Sequence, residues 1–207
     1  MIRVDAAACT VVDLAEACAW IAAGGIVAYP TDTFYGLAVD STSDVAVAAL
    51  FDVKGRDRHV AMPLIAASLE QARSVAAVDG ASARLAEMFW PGPLSLVLDA
   101  SRRVAAAIHA GRHTVAVRVP AHRVAQALAE GAGIPITSTS ANRSGEPPVW
   151  TVDGLADIAR DRRVLVVDGG ATPGGLPSTI VDARVVPPLL VREGAIAWNR
   201  VLDCLNG

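Results

Sequence analysis

The sequence predicts an α/β domain built on a mixed sheet. Short apolar runs bounded by Gly or Pro interleave with segments of helical period along the whole chain. No repeat of fixed period and no low-complexity run interrupts them. At 207 residues and 53% hydrophobic composition, the chain can bury a substantial core. The Gly/Pro-rich stretch 169–177 is read as a functional loop and not a linker, because the about thirty residues after it are too few for a core of their own. One domain is therefore expected over 1–207.

Taken in order, apolar residues at helical spacing run from Val12 to Ala23, and Gly24-Gly25 ends that segment. Ile26–Tyr29 is a short buried strand stopped by Pro30. Ser43 is a natural N-cap for a helix over Asp44–Val53. Pro63–Ala66 reads as a strand, and Ser68 with Gln71 makes a capping box for the next helix. Ser82–Phe89 is helical, closed by Trp90-Pro91-Gly92-Pro93. Leu94–Leu98 and Thr114–Val119 are strands, Arg123–Glu130 a helix and Ile134–Ser138 an extended segment. Val152–Ala159 is expected to be helical. Val164–Val167, Thr179–Asp182 and Leu189–Arg192 complete the strands.

Eighteen residues are Lys or Arg, and only one of them, Lys54, is lysine. It sits in Lys54-Gly55-Arg56-Asp57-Arg58, three cations within five residues. An ammonium is a compact, strongly hydrated point charge that a guanidinium fork does not replace freely. This cluster points to an anionic ligand, above all a phosphate chain; the plainer alternative is a solvated loop. The net charge of −3 excludes nonspecific attraction of nucleic acid to the whole surface, so an anion site must be local.

Pro30-Thr31-Asp32-Thr33-Phe34-Tyr35-Gly36 follows directly on a buried strand, and ligands of open α/β sheets lie beyond strand carboxyl ends. Thr31 and Thr33 share a side if the chain stays extended. Ser138, Ser140 and Asn142 likewise share a face after another apolar strand, a ladder suited to phosphate oxygens or a purine edge. In each case a hydrogen-bonded turn is the alternative. Arg118 interrupts an apolar strand, where it either reaches solvent or neutralises a carboxylate; Arg192 poses the same question. Ser178 lies at the end of the glycine-rich loop.

Other chemistries are excluded. Lys54 lacks the glycine spacing of a P-loop, Gly131-Ala132-Gly133-Ile134-Pro135 breaks the dinucleotide fingerprint, and no G-x-S-x-G occurs. His109 and His113 have no carboxylate or Cys beside them at metal-ligand spacing. Cys9, Cys18 and Cys204 are odd in number and form no C-x-x-C pair, as for inert thiols in a reducing compartment. With no signal-peptide h-region and no run long enough for a bilayer, a cytoplasmic protein with no membrane partner is expected.

Eight pieces in this order resemble the YrdC-like family of threonylcarbamoyl-adenylate synthases. They are Tyr29-Pro-Thr-Asp-Thr-Phe-Tyr-Gly-Leu37, Lys54-Gly-Arg56, Pro63-Leu-Ile65, Trp90-Pro-Gly-Pro93, Val115-Ala-Val-Arg-Val-Pro120, Thr139-Ser-Ala-Asn142, Ser178-Thr-Ile180 and Val191-Arg192. The resemblance implies a single twisted α/β domain with a large concave cleft, in the short form without an extra C-terminal domain. It implies conversion of L-threonine, bicarbonate and ATP, with Mg²⁺, to threonylcarbamoyl-AMP and pyrophosphate. A tRNA threonylcarbamoyl-transferase complex would receive the product; direct tRNA contact is left open. It assigns Thr31, Arg118, Ser138 and Ser178 to threonine. Lys54, Arg56, Arg58, Thr114, Ser140, Asn142 and Arg192 go to ATP, with Lys54 and Arg56 the catalytic pair. Some relatives carry a His after the Pro-Leu-Ile piece, where this chain has Ala66 and Ala67. Two other readings stand beside it: a noncatalytic RNA-binding module, and another carbamoyl-adenylate enzyme on the same fold. Few aromatics and no basic–aromatic stripe weigh against the first.

Overall fold

A computed structural model describes residues 1–206. Its strands divide between two mixed sheets. The first runs β1 (Ile2–Arg3), β9 (Val164–Asp168), β2 (Ile26–Pro30), β3 (Tyr35–Ala38), β8 (Thr139–Ser140). The second runs β11 (Leu189–Arg192), β10 (Thr179–Asp182), β5 (Leu94–Asp99), β6 (Thr114–Arg118), β4 (Leu64–Ile65), β7 (Ile136–Thr137). Seven helices accompany them: α1 (Ala15–Ala22), α2 (Asp44–Lys54), α3 (Leu69–Arg73), α4 (Gly80–Phe89), α5 (Ala106–His109), α6 (Arg123–Ala132) and α7 (Trp198–Asn206). None is long and apolar enough to cross a membrane.

The unbroken apolar run of β2 reflects burial on both faces. Ile26 and Ala28 join the larger core cluster with Leu37, Leu50, Phe51 and Leu96; Val27 and Tyr29 point the other way, to Leu14, Ile21, Val124 and Leu128. The period-2 geometry of one strand thus ties two cores together. The first sheet meets the second at Ser138: β7 pairs with β4 in one, and β8, two residues on, with β3 in the other.

Most expected elements form, with their caps. Ser43 Oγ accepts from Ala46 N at 3.2 Å at the start of α2. Ser68 Oγ accepts from Gln71 N, but Gln71 Oε1 accepts from Ala67 N, one residue beyond the N-cap amide of a standard box. The expected helix over Val152–Ala159 is corrected to two 3₁₀ turns, Val152–Leu155 and Ile158–Arg160. Gly154 lies in the middle of that segment and lowers its helical propensity. The strands β1, β3 and β8 and the helices α5 and α7 were not anticipated. Of these, β3 carries Gly36, a poor strand former, and owes its conformation to pairing with β2 and β8 on either side.

Candidate active site

A cleft of about 760 Å³ opens between the two sheets. Four arginines line it, Arg56, Arg112, Arg118 and Arg192, against one carboxylate, Glu146. Positive charge is thus concentrated locally on a chain whose net charge is −3, and low-dielectric walls focus its field on whatever enters.

One wall begins at the end of α2. Gly55 caps that helix in the left-handed region at φ 60°, a conformation open to glycine at no steric cost. The turn sends the cations on its two sides to different places. The Lys54 side chain goes inward and is 3% exposed. Its Nζ donates to the carbonyl oxygens of Ser140 at 2.5 Å and Asn142 at 2.7 Å. Burial, with the Arg56 charge added, pulls its pKa down to about 8. Lys54 is absent from the cleft lining and lies behind it, pinning the segment that carries Ser140 and Asn142. The sequence reading placed its ammonium on phosphate; in the structure two main-chain carbonyls engage it, a buried tie between α2 and β8.

Arg56 faces the cleft. Its guanidinium donates to Thr139 Oγ1 at 3.1 Å and to Ala61 O at 2.9 Å, while its buried Nε has no partner. Burial lowers its pKa from the ordinary arginine value. Asn142 Nδ2 donates to Arg143 O and Glu146 O at 2.9 and 2.6 Å, which orients the amide and leaves Oδ1 buried without a donor. A buried donor and a buried acceptor, both unpartnered on cleft-lining residues, are unusual in a protein interior and leave two hydrogen-bonding positions open to whatever occupies the cleft.

The opposite wall is the face of β5, β6, β10 and β11. Arg118 donates to Asp32 Oδ1 at 2.6 Å, with side-chain exposures of 7% and 14%. The question posed by an arginine in an apolar strand is answered by a carboxylate from the Thr31–Thr33 turn. Thr31 Oγ1 donates to Phe34 O at 2.7 Å and accepts from Thr33 N, so this hydroxyl is engaged in the turn. Thr31 and Thr33 do lie on one side, their hydroxyls 3.2 Å apart. Arg192 donates to Ser178 O at 2.8 Å, and Ser178 Oγ meets Ser95 Oγ at 2.9 Å. Burial, then the charge of Arg118, lowers the pKa of Arg192.

Ser178 is held from behind as well. Gly194 N and Ile196 N donate to Thr179 Oγ1, and Ala195 N donates to Pro177 O at 2.9 Å. A β-carbon on Gly194 would fall 2.1 Å from Pro177 O, so only glycine allows this crossing. The glycine-rich loop is tethered across the mouth: Gly174 N donates to Thr33 O and Tyr35 Oη to Gly170 O.

Thr31, Arg56, Arg118, Ser138, Ser140, Asn142, Ser178 and Arg192 thus line one cleft. Three assigned residues, Lys54, Arg58 and Thr114, lie outside that lining. Arg58 turns outward to pair with Asp52 at 3.0 Å, with both side chains more than half exposed. Thr114 shares a face of β6 with Ala116 and Arg118 but lies at the far end of the strand, outside the lining. Ser95, Arg112 and Thr139 line the cleft and were missed. Ser95 reads as an incidental polar residue in an apolar strand. Thr139 falls on the wrong parity of a period-2 ladder, but the change of sheet at Ser138 breaks that ladder.

The family model for Sua5, YciO and YrdC proteins, described as telomere recombination, matches residues 19–194. A threonylcarbamoyl-AMP synthase of Pyrococcus abyssi is 39% identical over 186 residues, covering 89% of this chain and 55% of its own length. A threonylcarbamoyl-AMP synthase of Thiobacillus denitrificans is 41% identical over 165 residues, covering 79% and 87%. The crystal structure of P. abyssi Sua5 complexed with L-threonine superposes with a TM-score of 0.87 at 35% identity, over 99% of this chain and 59% of that one. The chain thus spans little more than half of the archaeal relative and most of the bacterial one. The motifs around the cleft, the two-sheet topology and the extent of the match agree that this chain belongs to the Sua5/YciO/YrdC family.

Proposed function

We propose that this chain is a threonylcarbamoyl-AMP synthase, a nucleotidyltransferase that converts L-threonine, bicarbonate and ATP to threonylcarbamoyl-AMP and pyrophosphate. The observation that carries the reading is the pair of unpartnered buried atoms, Arg56 Nε and Asn142 Oδ1, in a cleft with four arginines. A donor beside an acceptor suits a nucleotide, whose phosphates accept and whose base and ribose donate. The names of the relatives and the threonine bound to the P. abyssi protein support the same substrates here.

The threonine amine adds to bicarbonate with loss of water to give a carbamate. A carbamate oxygen then attacks the α-phosphorus of ATP; the new O–P bond forms as the bond to pyrophosphate breaks. No protein nucleophile takes part. The protein's task is alignment and cancellation of crowded negative charge. Arg118 takes the threonine carboxylate, with Thr31, Ser138 and Ser178 around the side chain. Arg56 and Arg192 meet the phosphates, and Ser140 and Asn142 the nucleoside and phosphate oxygens. Lys54 acts from behind by fixing the backbone of Ser140 and Asn142. Mg²⁺ enters with ATP as part of the substrate and offsets two charges. Glu146 is the one carboxylate in the lining, so the triphosphate supplies most of the oxygens a hard cation needs. The product passes to a tRNA threonylcarbamoyl-transferase complex.

The test is pyrophosphate release from ATP. Release that requires both threonine and bicarbonate supports the assignment. RNA retention without release indicates a noncatalytic binding module, and release with another amino acid in place of threonine indicates a different carbamoyl-adenylate enzyme.

A further inference from the structure

A second cavity, of about 350 Å³, lies outside the cleft between the start of α2 and the β5–α5 connection. Its wall carries Arg102, Arg103, His109 and His113 against one carboxylate, Asp44. From Ala100 to Ala129 the sequence contains no Asp or Glu, so the segment supplies no counter-ion of its own. Among the described residues, neither Arg102 nor Arg103 forms an ion pair. His109 Nδ1 is buried with no hydrogen-bond partner, and the two imidazoles sit 5.0 Å apart.

The backbone holds this arrangement at a cost. Ala110 and His113 have φ of 48° and 56°, and Gly111 between them has 76°. A non-glycine residue in the left-handed region is strained and persists where the surroundings over-determine it, commonly at ligand sites. Here the kinked turn brings His113 back beside His109. The amide of Ala105 donates to Ser41 O at 2.9 Å, tying the connection to the residues before α2. The connection is thus anchored to packed elements, with Arg102 and Arg103 on its exposed turn, and the cavity's size lies at the low end of small-ligand sites.

We propose that this cavity is a binding site for a phosphoryl group, distinct from the cleft and additional to the proposed reaction. Two uncommitted guanidinium forks and two imidazoles offer more donors than the two oxygens of a carboxylate use, and match the three or more oxygens of a phosphate. Arg112, between the two histidines in sequence, lines the main cleft. The turn 109–113 is thus a wall common to both cavities.

A phosphoryl group arrives either free or on an RNA chain, and two probes separate these sources: inorganic pyrophosphate and a short RNA stem-loop. The chain has four histidines, so imidazole ring resonances can be followed residue by residue in the full protein. His122, whose Nδ1 is buried and which lies within electrostatic reach of Asp32 and Arg118, reports the main cleft and, in the unliganded protein, an intact fold. The expected result is a saturable shift of the His109 and His113 signals with Kd of about 1 mM or tighter. In Arg102→Ala/Arg103→Ala the affinity falls by about tenfold or more while the His122 signal of the unliganded protein stays in place. In Arg56→Ala, which disables the main cleft, the His109 and His113 titration is unchanged. A response to pyrophosphate assigns the site to free phosphoanions; a response to RNA alone assigns it to backbone phosphates. The proposal is overturned if neither probe moves these signals, if the double variant titrates like the parent, or if the response disappears with Arg56.

Discussion

On the α2 side of the cleft Lys54 is buried and Arg56 half-buried, and their partners are main-chain carbonyls and a buried threonine. On the β11 side, Arg192 stands on an edge strand whose four residues are all exposed, and its bonds go to a loop residue, Ser178. The first wall is rigid before substrate arrives, because moving Lys54 or Arg56 strands several buried groups at once. The second wall is held by few contacts and can adapt. The difference teaches that the cations of one site need not serve one purpose. On the proposed reading the α2 wall supplies fixed donors for a group whose charge develops during reaction, where preorganisation counts most, and the β11 wall adapts to the substrate.

The largest effect expected is on the fixed wall. Arg56→Ala should lower kcat/KM for pyrophosphate release by about a hundredfold or more, roughly 3 kcal/mol of lost stabilisation. Activity within a factor of about three of the parent would show that the rigid wall is not where the charge develops.

Lys54 sharpens the comparison through stability. Lys54→Met leaves the carbonyls of Ser140 and Asn142 without their donor, and denaturant unfolding at pH 7 should show a loss of about 1–3 kcal/mol. An unfolded lysine keeps its proton to about pH 10.4, whereas the folded ammonium loses it near 8. Between those values the unfolded chain binds more protons, so the unfolding free energy of the parent should rise with pH by roughly 1–3 kcal/mol. Lys54→Met should lack that rise. Parallel pH profiles for the two proteins would place the ammonium in water.

Arg118→Lys keeps a charge but loses the fork. The KM for threonine should rise by about tenfold or more, with a smaller change in the KM for ATP. An equal rise in both would move Arg118 from the amino acid to the nucleotide. Ser178→Ala should cost less, about two- to tenfold in kcat/KM, and should narrow the preference for threonine over valine, since a site that bonds a hydroxyl discriminates by it. The smallest effect is reserved for Arg58→Ala: its pair with Asp52 is exposed on both sides, and activity should stay within about a factor of two. A larger loss would return Arg58 to the cleft.

The sequence made most of the cleft legible and left its depth obscure. The two strand-end motifs, Thr31–Gly36 and Ser138–Asn142, announce a site because hydroxyls and amides at strand ends have few other uses. Charge singled out Lys54, yet charge says nothing of burial. Only the left-handed turn at Gly55 separates the lysine behind the wall from the arginine on it. Arg58 belongs to the same cationic run and points to solvent, which a count of charges does not distinguish. Ser95 was invisible because one hydroxyl in a six-residue apolar strand carries no periodic signal. The 3₁₀ turns of 152–160 were read as a helix because the two share much of their local spacing.

The close crossing at Gly194 has a consequence for variation in this chain. The amide behind Ser178 leaves no space for even one methyl group, so Gly194→Ala would push the 177–178 backbone forward into the cavity and carry the Arg192 tether with it. A change that never meets substrate would thereby act as an obstruction at the mouth, and an inactive protein of this kind can arise with every ligand-contacting residue intact.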